Sequence, residues 1–136
     1  MVEKISVFRK EHFNAAHKLN CLQWSDAQNE KEFGKCANPN WHGHNYDLWV
    51  TVKGQPNPNT GFIINTQLLS KIVKEVITEK LDHRNLNLDI DLGGLQPSSE
   101  NLAIWIWNTL KPHIPAGELH CIKLQETENI HVEYFG

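Results

Sequence analysis

The stretch His42-Gly43-His44-Asn45-Tyr46-Asp47-Leu48-Trp49-Val50-Thr51-Val52-Lys53 alternates two kinds of side chain. Tyr46, Leu48, Val50 and Val52 fall on even positions, whereas Asn45, Asp47, Thr51 and Lys53 fall on odd ones. A period of two is the signature of a strand with one buried face, and it predicts β structure from His42 onward. His42 and His44 share the even parity, so both imidazoles open the apolar face. Two nitrogens leaving one face two residues apart can take adjacent corners of a metal tetrahedron, at about 2.0–2.1 Å from a Zn²⁺ ion.

A third imidazole has the same kind of address. In the segment Ile5 to His17, Ile5, Val7, Phe13 and His17 share odd parity, which puts His17 on the apolar side of another strand. Three histidines with an open fourth position are the pattern of a catalytic rather than a structural zinc site. Cys36, six residues before His42, either closes that site as a fourth ligand or stands beside the metal as a base.

Past the second strand, Gly54-Gln55-Pro56-Asn57-Pro58-Asn59-Thr60-Gly61 is turn-rich. Leu68, Leu69, Ile72, Val73, Val76 and Ile77 then recur at three- and four-residue spacing and predict an amphipathic helix, with Lys71, Lys74, Glu75 and Glu79 outward. A second helix is predicted to open at Pro97-Ser98-Ser99-Glu100, capped by a serine, and to stop before Pro112. Its run Leu102 to Trp107 is apolar nearly all round, which predicts either deep burial or contact with another subunit. Strands over Leu119 to Glu126 and Ile130 to Tyr134, joined by Thr127-Glu128-Asn129, close the chain as a hairpin. The region between the first two strands reads as a long loop. The order is strand, strand, helix, helix, strand, strand.

In the hairpin, Glu126 ends the apolar row of Ile122 and Leu124. A carboxylate there suits an N–C–N edge such as a pterin presents, because it can accept two parallel hydrogen bonds. Asp82 and His83 follow the first helix and form an N-cap, a surface pair, or a base with its orienting carboxylate.

Bulk composition narrows the partners. One domain fits 136 residues, with no room for a second. A formal charge of −3 lacks the basic surplus of a nucleic-acid binder. No apolar run reaches the length of a membrane span, and Met1-Val2-Glu3-Lys4 lacks a signal-peptide core, so a cytoplasmic location is expected. Three cysteines, Cys21, Cys36 and Cys121, are too few and too odd for a disulfide framework.

Several segments together resemble the 6-pyruvoyl tetrahydropterin synthase family. They are His12-Phe13-Asn14-Ala15-Ala16-His17, Phe33-Gly34-Lys35-Cys36, His42-Gly43-His44-Asn45-Tyr46, Gly61-Phe62-Ile63-Ile64-Asn65, Leu81-Asp82-His83-Arg84-Asn85-Leu86, Ser99-Glu100-Asn101 and Gln125-Glu126-Thr127. The resemblance implies an α+β tunnelling fold, ββααββ, with a four-stranded antiparallel sheet carrying two helices on one face. It also implies trimers that close into a β-barrel and stack in pairs as a homohexamer, with active sites at subunit interfaces. The implied activity is a zinc lyase that converts 7,8-dihydroneopterin triphosphate to 6-pyruvoyl tetrahydropterin in tetrahydrobiopterin biosynthesis.

Position by position, the resemblance makes His17, His42 and His44 zinc ligands and Cys36 the proton-abstracting base. It makes Asp82 and His83 partners of that base from a neighbouring subunit, and Glu126 the pterin anchor. Arg9, Lys18, Lys35 and Arg84 are the cations available for a triphosphate. The nearest alternative is 6-carboxy-tetrahydropterin synthase on the same fold. It usually has a shorter cysteine-to-histidine loop and more often an Asp at the position of Asn65. A non-catalytic zinc or pterin-binding module and a zinc hydrolase are further alternatives. Three departures from the family pattern stand out: Trp41 where glycine is common, Lys18 where arginine often follows the first histidine, and Ser98-Ser99 where threonines are common.

Overall fold

The computed structural model describes residues 4–136; residues 1–3 of the stretch read for a signal peptide lie outside the described residues. Strand β1 (Ile5–His17) pairs antiparallel along its whole length with β2 (His42–Gly54), in a register that sets His17 opposite His42 and Phe13 opposite Tyr46. β2 pairs with β4 (Glu118–Thr127), which turns back into β5 (Ile130–Tyr134). The parity read from the sequence holds at the site end of the strands, where Phe13 and His17 on β1, with Ala15 between them, and Tyr46, Leu48 and Val50 on β2 are buried on one face; at the start of β1 it fades, Val7 being half-buried and Ile5 exposed.

That face is covered by helices. α2 (Thr66–Val73) is capped by Asn65, whose side chain accepts from the backbone N–H groups of Gln67 and Leu68. It runs on through a π-helical turn, Lys74–Thr78, and a last turn, α3 (Glu79–Leu81). Leu69, Val73, Ile77 and Leu81 are all fully buried. Four-residue spacing outruns a 3.6-residue turn, and the wide π turn absorbs the excess so that the stripe stays on the sheet. Leu68, expected in that stripe, is largely exposed.

α4 (Ser99–Leu110) is capped by Ser98 and buries Leu102, Ala103, Ile106, Trp107 and Leu110 against the same core. Of its apolar run, Ile104 remains exposed while Trp105 packs partly on the core, so one side of the helix is left uncovered.

The structure adds to the expected layout in two places. The sheet has five strands in the order β3-β1-β2-β4-β5, because Arg84–Asn85 forms a two-residue strand, β3, parallel to β1. So short a strand carries no periodicity to read. The loop between β1 and β2 contains α1 (Asp26–Phe33), capped by Ser25, and a 3₁₀ turn, Gly34–Ala37. α1 is polar nearly throughout and buries only Asn29, which hid it from a search for apolar stripes.

Candidate metal centre and active site

His17, His42, His44 and Glu126 form a cluster in which one ligand atom from each lies within 4.8 Å of the others. Strand register builds it. His17 and His42 are direct cross-strand partners, and His44 is one inward step along β2. The ring centroids stand 4.5–5.0 Å apart and nearly edge to face, so the nitrogens converge.

His17 is almost fully buried, and its Nδ1–H donates to the carbonyl of Pro97 at 2.7 Å. That bond fixes the tautomer and leaves the Nε2 lone pair facing the cluster. Nε2 of His17, both ring nitrogens of His42 and Nε2 of His44 are buried without a hydrogen-bond partner. Burial holds all three imidazoles below their usual pKa, and mutual repulsion among them adds to it. Neutral, converging, unpartnered imidazole nitrogens are the donor set a divalent zinc-like cation takes.

Glu126 reaches the cluster from a β-bulge. Gln125 pairs with His131 and Thr127 with Ile130, so Glu126 has no partner on β5. Its Oε2 accepts a short hydrogen bond from the Ser99 hydroxyl at the start of α4. Its Oε1 lies 2.9 Å from Nε2 of His44, without the alignment of a hydrogen bond, and 4.0 Å from Nε2 of His17. The fourth place in the cluster thus belongs to a carboxylate, and the Cys36 thiol is not part of it.

Cys36 sits half-buried in the 3₁₀ turn, and its carbonyl accepts from the N–H of Leu19, two residues past His17. Trp41, between this turn and His42, has a left-handed φ of 58°. Glycine occupies such a conformation without strain, which accounts for glycine being common at this position in the family; the tryptophan here carries that strain. The Lys18 ammonium stands 4.7 Å above the Trp41 ring.

Asp82 and His83 lie at the sheet edge. Asp82 Oδ1 accepts from the N–H of Asn14 at 2.9 Å, while the His83 N–H donates to the Asn14 carbonyl at 2.7 Å. Asp82 Oδ2 is 2.9 Å from His83 Nδ1. The Asn14 N–H, followed by the His83 side chain, holds the Asp82 carboxyl below its ordinary pKa. His83 borders an open cleft of about 520 Å³ whose lining includes Asn14, Gly43, His44, Asn45 and Arg84. Asn14, Gly43 and Asn45 have the parity opposite to the histidines, but His44 lines the cleft as well, so it runs up to a residue of the metal cluster.

Among the four cations considered for a triphosphate, Arg9 is bonded to Glu11 at 2.9 Å, eight residues up β1 from His17 and so about 26 Å away at ~3.3 Å per residue. Lys18 and Lys35 share a cleft with Asn20, Ala37 and Pro39, and Arg84 lines the cleft beside His83.

The family model for 6-pyruvoyl tetrahydropterin synthase matches residues 6–136. The chain belongs to that family. The 6-pyruvoyl tetrahydrobiopterin synthases of Pongo abelii and Homo sapiens are 44% and 43% identical to it over 131 residues, covering 96% of this chain and 90% of each relative. The solved structure of the Caenorhabditis elegans 6-pyruvoyl tetrahydropterin synthase superposes with a TM-score of 0.92 at 34% identity, covering 99% of this chain and 97% of the other. The α+β sheet-and-helix arrangement of this family member is therefore the synthase fold.

Two residues of the site carry no sequence signal of their own. Pro97 acts through its carbonyl, and Ser99 through a hydroxyl that orients Glu126. Ser99-Glu100-Asn101 was a point of family likeness, with nothing in its residue types to say what the serine holds. No helix among the described residues is long and apolar enough to cross a membrane.

Proposed function

We propose that this chain is a zinc-dependent lyase that converts 7,8-dihydroneopterin triphosphate to 6-pyruvoyl tetrahydropterin and triphosphate. The observation that carries the proposal is the cluster of three neutral, unpartnered imidazoles flanked by a carboxylate. Its support from outside the chain is the full-length likeness to enzymes named for that product.

His17, His42 and His44 would hold the metal. When bound, zinc supplies Lewis-acid activation of the substrate's side-chain hydroxyls. Glu126, oriented by Ser99, accepts paired hydrogen bonds from the pterin amino group and ring N–H, which sets the side chain of the substrate over the histidines. Cys36 takes the proton from the carbon beside the one bearing triphosphate. The C–H electron pair becomes a carbon–carbon double bond, the C–O bond to triphosphate breaks, and tautomerisation of the enol yields one ketone with its methyl group. The carbinol carbon attached to the ring gives up its C–H and O–H protons and the C–H electron pair passes into the ring C=N bond, which forms the second ketone and reduces the ring, so no external redox cofactor enters.

Asp82 and His83 tune Cys36 from a neighbouring subunit. Their place at the sheet edge, outside the cluster formed by their own chain's histidines and Glu126, supports a role across an interface. Trimers closing into a barrel and pairing as a homohexamer provide such an interface. Three free thiols suit the reducing cytoplasm.

The test is the Cys36→Ala variant, assayed for metal content and for triphosphate release, with the wild-type product identified by mass. Retained zinc with turnover lost supports the lyase. Retained turnover points to a zinc hydrolase, and a carboxy product to the queuosine-pathway relative.

A further inference from the structure

Beyond His17 the chain leaves the sheet, yet its backbone stays paired through side-chain carboxamides. Asn87 Oδ1 accepts from the N–H of Lys18 at 2.9 Å, and Asn87 Nδ2 donates to the Lys18 carbonyl at 3.0 Å. Gln96 does the same for Asn20, its Oε1 accepting at 3.0 Å and its Nε2 donating at 2.8 Å. Asn29 repeats the pattern on Cys21 at 2.7 and 2.9 Å. Each carboxamide supplies one donor and one acceptor to a single residue, as an adjacent strand would.

Between two clamped residues stands Leu19, whose N–H donates to the Cys36 carbonyl at 2.8 Å. The clamps on Lys18 and Asn20 therefore aim the bond that ties the Cys36 turn to the strand carrying His17. Gln96 is itself held: its carbonyl accepts from Asn101 Nδ2 at 2.9 Å, and the next carbonyl, that of Pro97, accepts from His17. One short segment thus grips both a histidine of the metal cluster and the strand on which the Cys36 turn hangs.

We propose that Gln96, seconded by Asn87, is a positioning residue for Cys36, acting through the Leu19 N–H to fix where the thiol stands relative to the histidine cluster. The role rests on the reading of Cys36 as the base. Gln96 is outside the cluster of His17, His42, His44 and Glu126. Its effect is on the distance across which the proton is taken, and near-angstrom misplacement of a reacting group costs up to about 100-fold in rate.

The test uses the zinc-loaded full chain with Gln96→Met, which keeps length and removes both hydrogen bonds. Expected are a fall in kcat of about tenfold or more, an almost unchanged KM, unchanged zinc content, and an altered rate of Cys36 alkylation by iodoacetamide relative to Cys121, followed by peptide mass. Asn87→Leu is expected to give the same pattern, and the double variant less than the product of the two, since both act through one bond. If Gln96→Met does not fold, Asn87→Leu carries the test.

A folded variant with wild-type kcat and alkylation would overturn the proposal, as would a loss of kcat matched by loss of zinc. Cys36→Ser separates the two layers. An active Cys36→Ser removes the base and this role with it, whereas an inactive Cys36→Ser beside a fully active Gln96→Met removes the positioning role alone.

Discussion

Ser99 donates its hydroxyl hydrogen to one oxygen of Glu126, while the other oxygen of that carboxylate stands 2.9 Å from Nε2 of His44. The helix start and the metal face are thereby joined through one side chain. A carboxylate so placed is either an anchor beside the metal or a ligand on it, and the two roles separate on substitution.

Glu126→Ala is expected to raise KM markedly while zinc content, measured by atomic absorption, stays at the wild-type level. Ser99→Ala removes a hydrogen bond to a charged group, a loss of about 1.5–3 kcal/mol at most, and is expected to raise KM in the same direction but less. Ser99→Thr should restore it. Loss of zinc in Glu126→Ala would make the residue a ligand instead.

Trp41 tests the backbone of the loop between Cys36 and His42. At φ 58° a residue with a Cβ carries a strain of about 1–2 kcal/mol that glycine lacks. Trp41→Gly and Trp41→Ala lose the same indole and its contact with Lys18. Urea unfolding should therefore find the glycine variant the more stable by about 1 kcal/mol, and equal stabilities would show that the loop relaxes.

Acid should destabilise the metal-free protein through its histidines. Burial keeps the folded-state pKa values of His17, His42 and His44 below the ordinary 6.5. The unfolded chain then binds more protons than the folded one between those values and 6.5, so stability rises with pH through that window. It is complete above 6.5 and is lost as pH falls through the folded-state values. Unfolding midpoints of the chelator-treated protein across this range should slope accordingly. Zinc should both raise the midpoint and move the loss to lower pH, because protons compete with the metal for the same nitrogens.

Complementation tests the shared site. Cys36→Ala and His83→Ala subunits, each inactive alone, should regain part of the wild-type rate after mixing and exchange, since some interfaces then pair an intact Cys36 with an intact His83. No recovery after exchange confirmed by native mass spectrometry would place the dyad outside the site.

The strands were legible because one face of each is apolar and a period of two survives in the residue types. That same parity delivered His17, His42, His44 and Glu126 to one face. What escaped depended on groups without a pattern. α1 buries a single asparagine, β3 is two residues long, and the Pro97 carbonyl is a backbone atom that any residue supplies. Glu126 was readable as an inward acid, but its approach to His44 depends on the bulge, and sequence marks no bulge at Gln125-Glu126-Thr127. Trp41 was visible as an oddity only; the left-handed backbone shows what glycine would relieve there.

The bulge also leaves position 126 free of any cross-strand neighbour on β5. Residues in register are constrained by the side chain they face, but here the hairpin sets no such demand. What holds the carboxylate at 126 is therefore Ser99 and the approach to His44, so an exchange there would be felt at the helix start and the metal face while the hairpin keeps its pairing.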